Sequence, residues 1–160
     1  MGLEDDIGKL ARNPTFSVIE PEALRLIAFS GDSLVLRAGD VLFRRDEISN
    51  GGYVVLSGSI AMDASDTGAA ARIVRPPGLI GDQALLTQTR RPATAIAREP
   101  STVLRIPRPL FHRVLQEFPE SAERLRQSLS ERLGQFIGEL NAVREKLAPE
   151  DIPKSDSEPV

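Results

Sequence analysis

The chain has no cysteine, no tryptophan, a single histidine and only 4% aromatic residues. Without cysteine, neither a disulfide nor a thiolate metal site can form, which favours a reducing compartment such as the cytoplasm. The single histidine, His112, is too few for an imidazole-rich metal centre, and a Ser-His-Asp triad would have to use it. No serine lies in a Gly-x-Ser-x-Gly sequence. We therefore expect neither a metal site nor an enzyme.

Long apolar runs and an excess of positive charge are also missing. No window approaches the roughly 18 consecutive apolar residues of a membrane span, so membrane insertion is not expected. The formal net charge of −3 offers no field that would attract nucleic acid nonspecifically. With 160 residues, of which 41% are hydrophobic and 27% charged, the chain is typical of one globular domain.

The pattern of apolar residues changes along the chain. Residues 1–30 have helical spacing, interrupted at Asn13-Pro14. Residues 32–106 contain short β-rich runs separated by Gly, Asp and Asn turns, at intervals typical of an antiparallel barrel or double-sheet roll. The predicted strands lie at 34–36, 41–43, 53–56, 60–62, 73–74, 93–97 and 103–106. The expected fold class is therefore mainly β with flanking helices.

The C-terminal part is predicted to hold two helices and a tail. Pro107-Arg108-Pro109 begins a helix that ends near Phe118, and a longer helix runs from about 120 to 147. The longer helix carries a two-heptad apolar seam, which fits a homodimer and packing against the roll about equally well. We expect the polar, proline-containing stretch 148–160 to be disordered. The domain is accordingly predicted at 1–147, with the roll at about 32–106 and the closing helices at about 107–147.

Charge is unevenly distributed in the middle of the chain. Between residues 71 and 98 there are five arginines and one acidic residue, Asp82. Such a patch could hold an anion, and it could equally be a solvated strand face.

One segment within this patch is the most informative of the sequence. Gly81-Asp82-Gln83-Ala84 combines a helix start with a carboxylate, and Arg90-Arg91-Pro92-Ala93 follows on the next turn. Backbone N–H groups at a helix start attract anions, and an arginine can grip phosphate oxygens with two hydrogen bonds. We interpret the segment as a pocket for a compact phosphate-bearing ligand.

These motifs resemble those of the cyclic nucleotide-binding domains in bacterial catabolite activators, kinase regulatory subunits and nucleotide-gated channels. The run 39–44, Gly-Asp-Val-Leu-Phe-Arg, and the glycine at 58 are similar to the family's entry pattern. Residues 80–86 look like the phosphate-binding cassette, with Asp82 in place of the usual glutamate and Arg91 nine residues later. The likeness covers about residues 20–147. It implies an eight-stranded antiparallel, jelly-roll-like β-roll with N-terminal helices, a short cassette helix and two C-terminal helices.

The resemblance also implies roles for individual residues. The cassette amides after Gly81 would cradle a cyclic phosphate, Arg91 would clamp it, and Asp82 would accept a hydrogen bond from the ribose 2′-hydroxyl. Arg90 is expected to face solvent. An apolar lid over the base is implied near 132–137, although Phe136 and Ile137 would suit core packing at least as well. The full predicted nucleotide site consists of Gly81, Asp82, Gln83, Ala84, Arg91, Pro92 and Ala93, with Arg132, Phe136 and Ile137 as the lid.

Two departures from the family pattern affect the expected ligand. Asp82 is one methylene shorter than glutamate, which lengthens the ribose contact or routes it through water. Pro92 has neither an N–H for the phosphate nor a hydroxyl for a guanine base, which favours cAMP over cGMP.

Two functions remain open from the sequence. The first is a stand-alone, bacterial, cytoplasmic cAMP sensor whose C-terminal helix closes over the pocket and regulates an unidentified protein partner. The second is an interaction or dimerisation module of the same fold with little or no ligand affinity. Direct DNA binding is not expected, because stretch 148–160 is too short for the helix-turn-helix of the family's transcription factors.

Overall fold

The computed structural model describes residues 2–64 and 71–131. The chain divides into one unit at Met1–Leu125 and a second at Arg126–Val160. The fold and the site described below lie in the first unit. Of the second unit, residues 126–131 are described and are helical. The tail predicted at 148–160, and the part of the last helix beyond 131, lie outside the described residues.

Helices precede and follow the strands in the chain, and one short helix lies between two strands. Proline occupies the first turn of the second and fourth helices, where its missing N–H costs no hydrogen bond. Asn13 ends the first helix, and its backbone N–H donates to the Leu10 carbonyl at 3.0 Å. The helices are α1 (Leu3–Arg12), a 3₁₀ turn (Phe16–Val18), α2 (Pro21–Ser30), α3 (Asp82–Leu86) and α4 (Arg108–Glu117), and residues 119–125 are also helical.

Eight strands form two four-stranded antiparallel sheets. The strands are β1 (Asp32–Leu36), β2 (Val41–Phe43), β3 (Gly51–Ser57), β4 (Ile60–Asp63), β5 (Arg72–Val74), β6 (Leu79–Ile80), β7 (Thr94–Ala97) and β8 (Ser101–Pro107). One sheet has the order β1-β8-β3-β6 and the other β2-β7-β4-β5. This arrangement confirms the predicted mainly β fold, an eight-stranded antiparallel roll with flanking helices.

The core lies between the two sheets. It takes Tyr53, Val55 and Val103 from one sheet and Phe43, Ile60 and further apolar residues from the other. Strand β3 is buried over six consecutive residues, from Gly51 to Leu56, because helices cover its outer face. A strand covered on both faces shows a continuous apolar run in place of alternation.

The segment from β6 to β7 positions the site. Strand β6 leads directly into α3, and the chain then turns back through residues 87–93 to enter β7. Phe16 and Phe111 pack edge to face at 6.1 Å between ring centroids, which fixes α4 against the N-terminal helices. None of the described helices is long and apolar enough to cross a membrane.

Candidate functional site

Gly81 begins the candidate site. It lies between β6 and α3 with φ +84°, a left-handed conformation that glycine adopts without a steric penalty. A Cβ atom at this position would lie 2.8 Å from Nη1 of Arg91. Glycine is therefore required both by the turn and by the close approach of Arg91, and the two predicted elements converge as expected.

Arg91 is buried, with only 4% of its surface exposed. Its Nη2 donates to the Gly51 carbonyl at 2.9 Å, and its guanidinium carbon lies 4.2 Å from the Phe43 ring centroid and 5.5 Å from that of Tyr53. Within residues 2–64 and 71–131 no carboxylate pairs with it. Burial is the largest cause that lowers the pKa of the Arg91 guanidinium, and the charge of Arg108 lowers it further. Among the described residues, the buried Arg91 cation thus has no paired carboxylate, although Tyr53 and the Glu47 carboxylate partly offset the lowering of its pKa.

The backbone of Arg91 is held as firmly as its side chain. Its N–H donates to the Glu47 carbonyl at 2.8 Å, and its carbonyl accepts from the N–H of Asp46, also at 2.8 Å. Asp46 has φ +72°, which aspartate tolerates better than most residues. This pair of hydrogen bonds positions Arg91 beside the loop between β2 and β3.

A cavity of about 200 Å³ opens in front of these groups. Three arginines and one carboxylate, Asp82, contribute to its wall, so the lining carries a positive excess. The lining residues are Phe43, Met62, Arg72, Ile80, Gly81, Asp82, Gln83, Ala84, Thr89, Arg90, Arg91 and Pro92. An anionic ligand would neutralise the excess at the point where burial makes the charge interaction strongest.

The amide groups of the cassette divide into used and unused donors. The N–H of Gln83 donates to the Asp82 carboxylate at 2.9 Å, and the N–H of Leu85 donates to the Gly81 carbonyl at 3.2 Å. The structure gives the N–H groups of Asp82 and Ala84 no acceptor among the described residues. Two amides of this turn are therefore available as donors to an anion, and the Asp82 carboxylate accepts from the N–H of the next residue.

Six of the seven predicted nucleotide-binding residues line the cavity: Gly81, Asp82, Gln83, Ala84, Arg91 and Pro92. The seventh, Ala93, does not line the cavity; it is buried in the core cluster between the sheets. Ala93 lies in the bend just before β7 and is buried like Ala95 and Ala97 at alternate positions after it, whereas the neighbouring Pro92 is exposed. The predicted lid residues Arg132, Phe136 and Ile137 lie outside the described residues.

Six lining residues were not assigned to the site from the sequence. Arg72 and Arg90 were counted in the positive patch, and Arg90 is exposed as expected, with Nη1 donating to the Asp46 carbonyl at 3.0 Å. Phe43 lies within the motif 39–44, which could have identified it. Ile80 likewise begins the cassette segment 80–86, whereas Met62 and Thr89 carry no sequence signal for this role, since apolar strand residues and threonine are common everywhere.

Arg108 connects the cassette to α4. Its Nε donates to the Ala84 carbonyl at 2.9 Å, and its Nη2 donates to the carbonyl and hydroxyl oxygens of Ser49 at 2.8 and 3.0 Å. The Ser49 hydroxyl also accepts from the N–H of Thr89 at 3.0 Å. The Arg108 side chain thus links α3 and the loop between β2 and β3 to the start of α4.

We expect Arg108→Gln to lower the free energy of unfolding by about 1 to 2 kcal/mol, because up to three partly buried hydrogen bonds are lost. Urea denaturation would measure the change. Arg113→Gln is the matched control, because Arg113 is an exposed arginine of the same helix. Equal stability of the two variants would show that the contacts of Arg108 contribute nothing.

The sequence and fold of the chain match a known family. The profile of the family described as "Cyclic nucleotide-binding domain" matches residues 33–118. A cyclic nucleotide-binding-like protein from Brucella abortus is 38% identical, with a TM-score of 0.63, over 70% of this chain and 98% of that one. The N-terminal domain of a transcriptional regulator from Streptomyces coelicolor A3(2) is 25% identical, with a TM-score of 0.75, over 82% and 94%.

Curated relatives include much longer proteins. "Neuropathy target esterase sws" of Drosophila ananassae is 29% identical over 129 residues, which is 79% of this chain and 8% of that protein. The chain therefore spans less than a tenth of the length of that relative. Since the family profile covers more than half of the chain, this protein belongs to the cyclic nucleotide-binding domain family.

Proposed function

We propose that the chain binds a cyclic nucleotide, cAMP in preference to cGMP, as a sensor and not as an enzyme. The single observation that supports this most strongly is the buried Arg91 guanidinium, which has no carboxylate partner among the described residues and lies beside the Gly81 turn. A buried unpaired charge is costly. A cyclic phosphate would supply the missing negative charge and accept from the free amides of Asp82 and Ala84.

The preference for cAMP rests on Pro92. Its side chain is exposed at the cavity wall and offers neither a hydroxyl nor an N–H to a base. The Asp82 carboxylate would turn from the Gln83 N–H towards the ligand. It would then accept a hydrogen bond from the ribose 2′-hydroxyl.

The cavity has a volume of about 200 Å³, and the resemblance to the family implies a closing element at its mouth. We propose that the C-terminal helix, with Arg132, Phe136 and Ile137, completes the enclosure and changes a surface that a protein partner recognises. A cytoplasmic location and a homodimer through this helix remain predictions.

One observation favours the second candidate function, an interaction module with little affinity. The Asp82 carboxylate already accepts from the Gln83 N–H, so part of the cassette is satisfied without a ligand. A ligand that binds Asp82 must displace this hydrogen bond, which reduces the net binding free energy.

Calorimetry and thermal melting with cAMP and cGMP distinguish the two functions. A sensor should bind with a dissociation constant in the micromolar range or better, and a ligand concentration 100 times that constant should stabilise the fold by about 2.7 kcal/mol. Linear 5′-AMP is the control for the cyclic phosphate. The absence of heat and of any melting shift up to millimolar ligand would contradict the sensor and support the module.

A further inference from the structure

An apolar row crosses the outer face of the sheet β2-β7-β4-β5. Its residues pair directly from strand to strand: Val41, Ile96, Ala61 and Ile73. Paired residues of antiparallel strands point to the same face, and the neighbours of Ile96 in β7, Ala95 and Ala97, belong to the core cluster between the sheets. The row therefore points away from the core. Antiparallel sheets that face water usually carry polar residues at outward positions, so the row departs from the usual alternation.

This face lies away from the main helix packing of the described residues. The principal helix–sheet contacts are those of α1, α3 and α4 with β3 and β8, which belong to the other sheet. Val41 is 39% exposed, and the other three residues of the row are half-buried. An exposed apolar patch with a polar border is typical of an interaction site.

Two exposed arginines border one side of the row. Arg98 comes two residues after Ile96, and its N–H donates to the Ser59 carbonyl at 3.0 Å, which extends the β4–β7 ladder to it. Arg75 comes two residues after Ile73 of β5. Because β5 and β7 are both antiparallel to β4, the two arginines lie on the same side of the row, two strands or about 10 Å apart. Among the described residues, neither side chain has a hydrogen-bond or ion-pair partner.

The acidic groups nearest to this border are engaged in turns. The Asp40 carboxylate accepts from the N–H of Arg37 at 2.8 Å, and the Glu99 carboxylate accepts from the Ser59 hydroxyl at 2.6 Å. Neither forms an ion pair with the border arginines. The Arg75–Arg98 border can therefore attract negative charge from outside the domain.

The spacing of the borders matches the width of an α-helix. Arg98 and Thr94 are four residues apart, about 14 Å at the rise of a strand, and a helix with its side chains is about 10 to 12 Å wide. The row crosses four strands, about 14 Å, which is the length of about nine helical residues. On the Thr94 side, Arg44 follows β2 and Asp63 ends β4, so opposite charges balance there.

We propose that this face binds a short amphipathic helix of a partner protein, with its apolar side on the row and acidic residues towards Arg75 and Arg98. A helix laid along an apolar surface is a common mode of peptide recognition. The proposal does not depend on nucleotide binding, because the cavity is lined by inward side chains of the same strands, such as Phe43 and Met62.

Two other occupants fit the face less well. A second copy of the chain would bring the same excess of arginine against it, and like charges repel. Membrane-binding faces present Trp, Phe or Leu among basic residues. The row contains only valine, isoleucine and alanine, which are short side chains in a flat sheet.

Selection from a random library of peptides tests the proposal, with the full chain as the immobilised target. Peptides of about 16 residues are long enough for the expected helix and its ends. Enriched peptides should carry apolar residues at helical spacing and an excess of Asp and Glu. Fluorescence anisotropy of labelled synthetic copies then gives their dissociation constants for the chain and its variants.

Two variants of the face should bind these peptides more weakly. Ile96→Thr removes apolar surface but keeps a β-branched residue, and should weaken binding about 5- to 30-fold. Arg98→Glu should weaken it about 5- to 30-fold at low salt, and less at high salt because ions screen the charges. The matched controls are Val35→Thr, on the other sheet, and Arg113→Glu, on α4; both residues are exposed and should change binding less than about 2-fold.

Several results would overturn the inference alone: no enriched peptide, enriched peptides that are basic, or equal affinities for the wild-type chain and the two face variants. Sedimentation with phosphatidylglycerol vesicles that Arg98→Glu abolishes would assign the face to a membrane. A dimer in analytical ultracentrifugation that Ile96→Thr dissociates would assign it to a second copy. Thermal melting of each variant separates a folding defect from a lost contact. A chain that binds no cyclic nucleotide would contradict the proposed function and leave this inference in place.

Discussion

Replacement of Arg91 by alanine is expected to weaken cAMP binding about 30- to 1,000-fold, equivalent to about 2 to 4 kcal/mol. The variant removes a charge-assisted, two-pronged donor and leaves the phosphate without its counter-charge in a buried site. Calorimetric titration measures the loss. Arg91→Lys should recover only part of the affinity, because lysine keeps the charge without the planar fork.

Arg90 provides the matched control for Arg91. It is the preceding residue and lines the same cavity, but it is exposed and donates to the Asp46 carbonyl. Exposed charges contribute little because solvent screens them. We therefore expect Arg90→Ala to change the affinity less than about 3-fold. Similar losses in the two variants would indicate a diffuse electrostatic attraction and contradict the assignment of Arg91 as the phosphate clamp.

The second large effect is expected from Gly81→Ala. Any side chain at this left-handed position costs about 1 to 2 kcal/mol of stability. The new Cβ would also lie 2.8 Å from Nη1 of Arg91, so the guanidinium must move. Since a charge-assisted contact contributes about 1.5 to 3 kcal/mol, the displacement should weaken cAMP binding by about 10- to 150-fold.

Gly39→Ala separates the loss of stability caused by the positive φ from the loss of affinity caused by the displacement of Arg91. Gly39 also has a positive φ, +92°, but nothing lies within 4 Å of an added Cβ. Both variants should lose similar stability in urea denaturation, and only Gly81→Ala should lose affinity in calorimetry. If Gly81→Ala bound cAMP as tightly as Gly39→Ala, the close approach of Gly81 and Arg91 would have no role in the site.

The sequence was sufficient to predict the roll and the cassette because both depend on local signals. Turn residues separate the strands, and Gly81, Asp82 and Arg91 have a spacing that few unrelated chains share. Strand β6, Leu79–Ile80, was missed because its two residues stand between a Pro-Pro-Gly turn and Gly81, and Ile80 begins the cassette motif. Its pairing with β3 is a tertiary contact that no local pattern records.

The rest of the site depends on strand register. Phe43 and Tyr53 stack against Arg91 because β2 and β3 bring them there, and Arg72 faces the cavity because it pairs with Met62. A shift of one residue would turn each side chain to the other face. Ala93, in the bend that enters β7, packs in the core cluster, although its neighbours Arg91 and Pro92 line the cavity.

A crystal structure of the chain grown with cAMP tests the central claim most directly. The cyclic phosphate is expected within hydrogen-bond distance of the Arg91 guanidinium and of the amides of Asp82 and Ala84. A nucleotide bound elsewhere, or a phosphate turned away from Arg91, would contradict it.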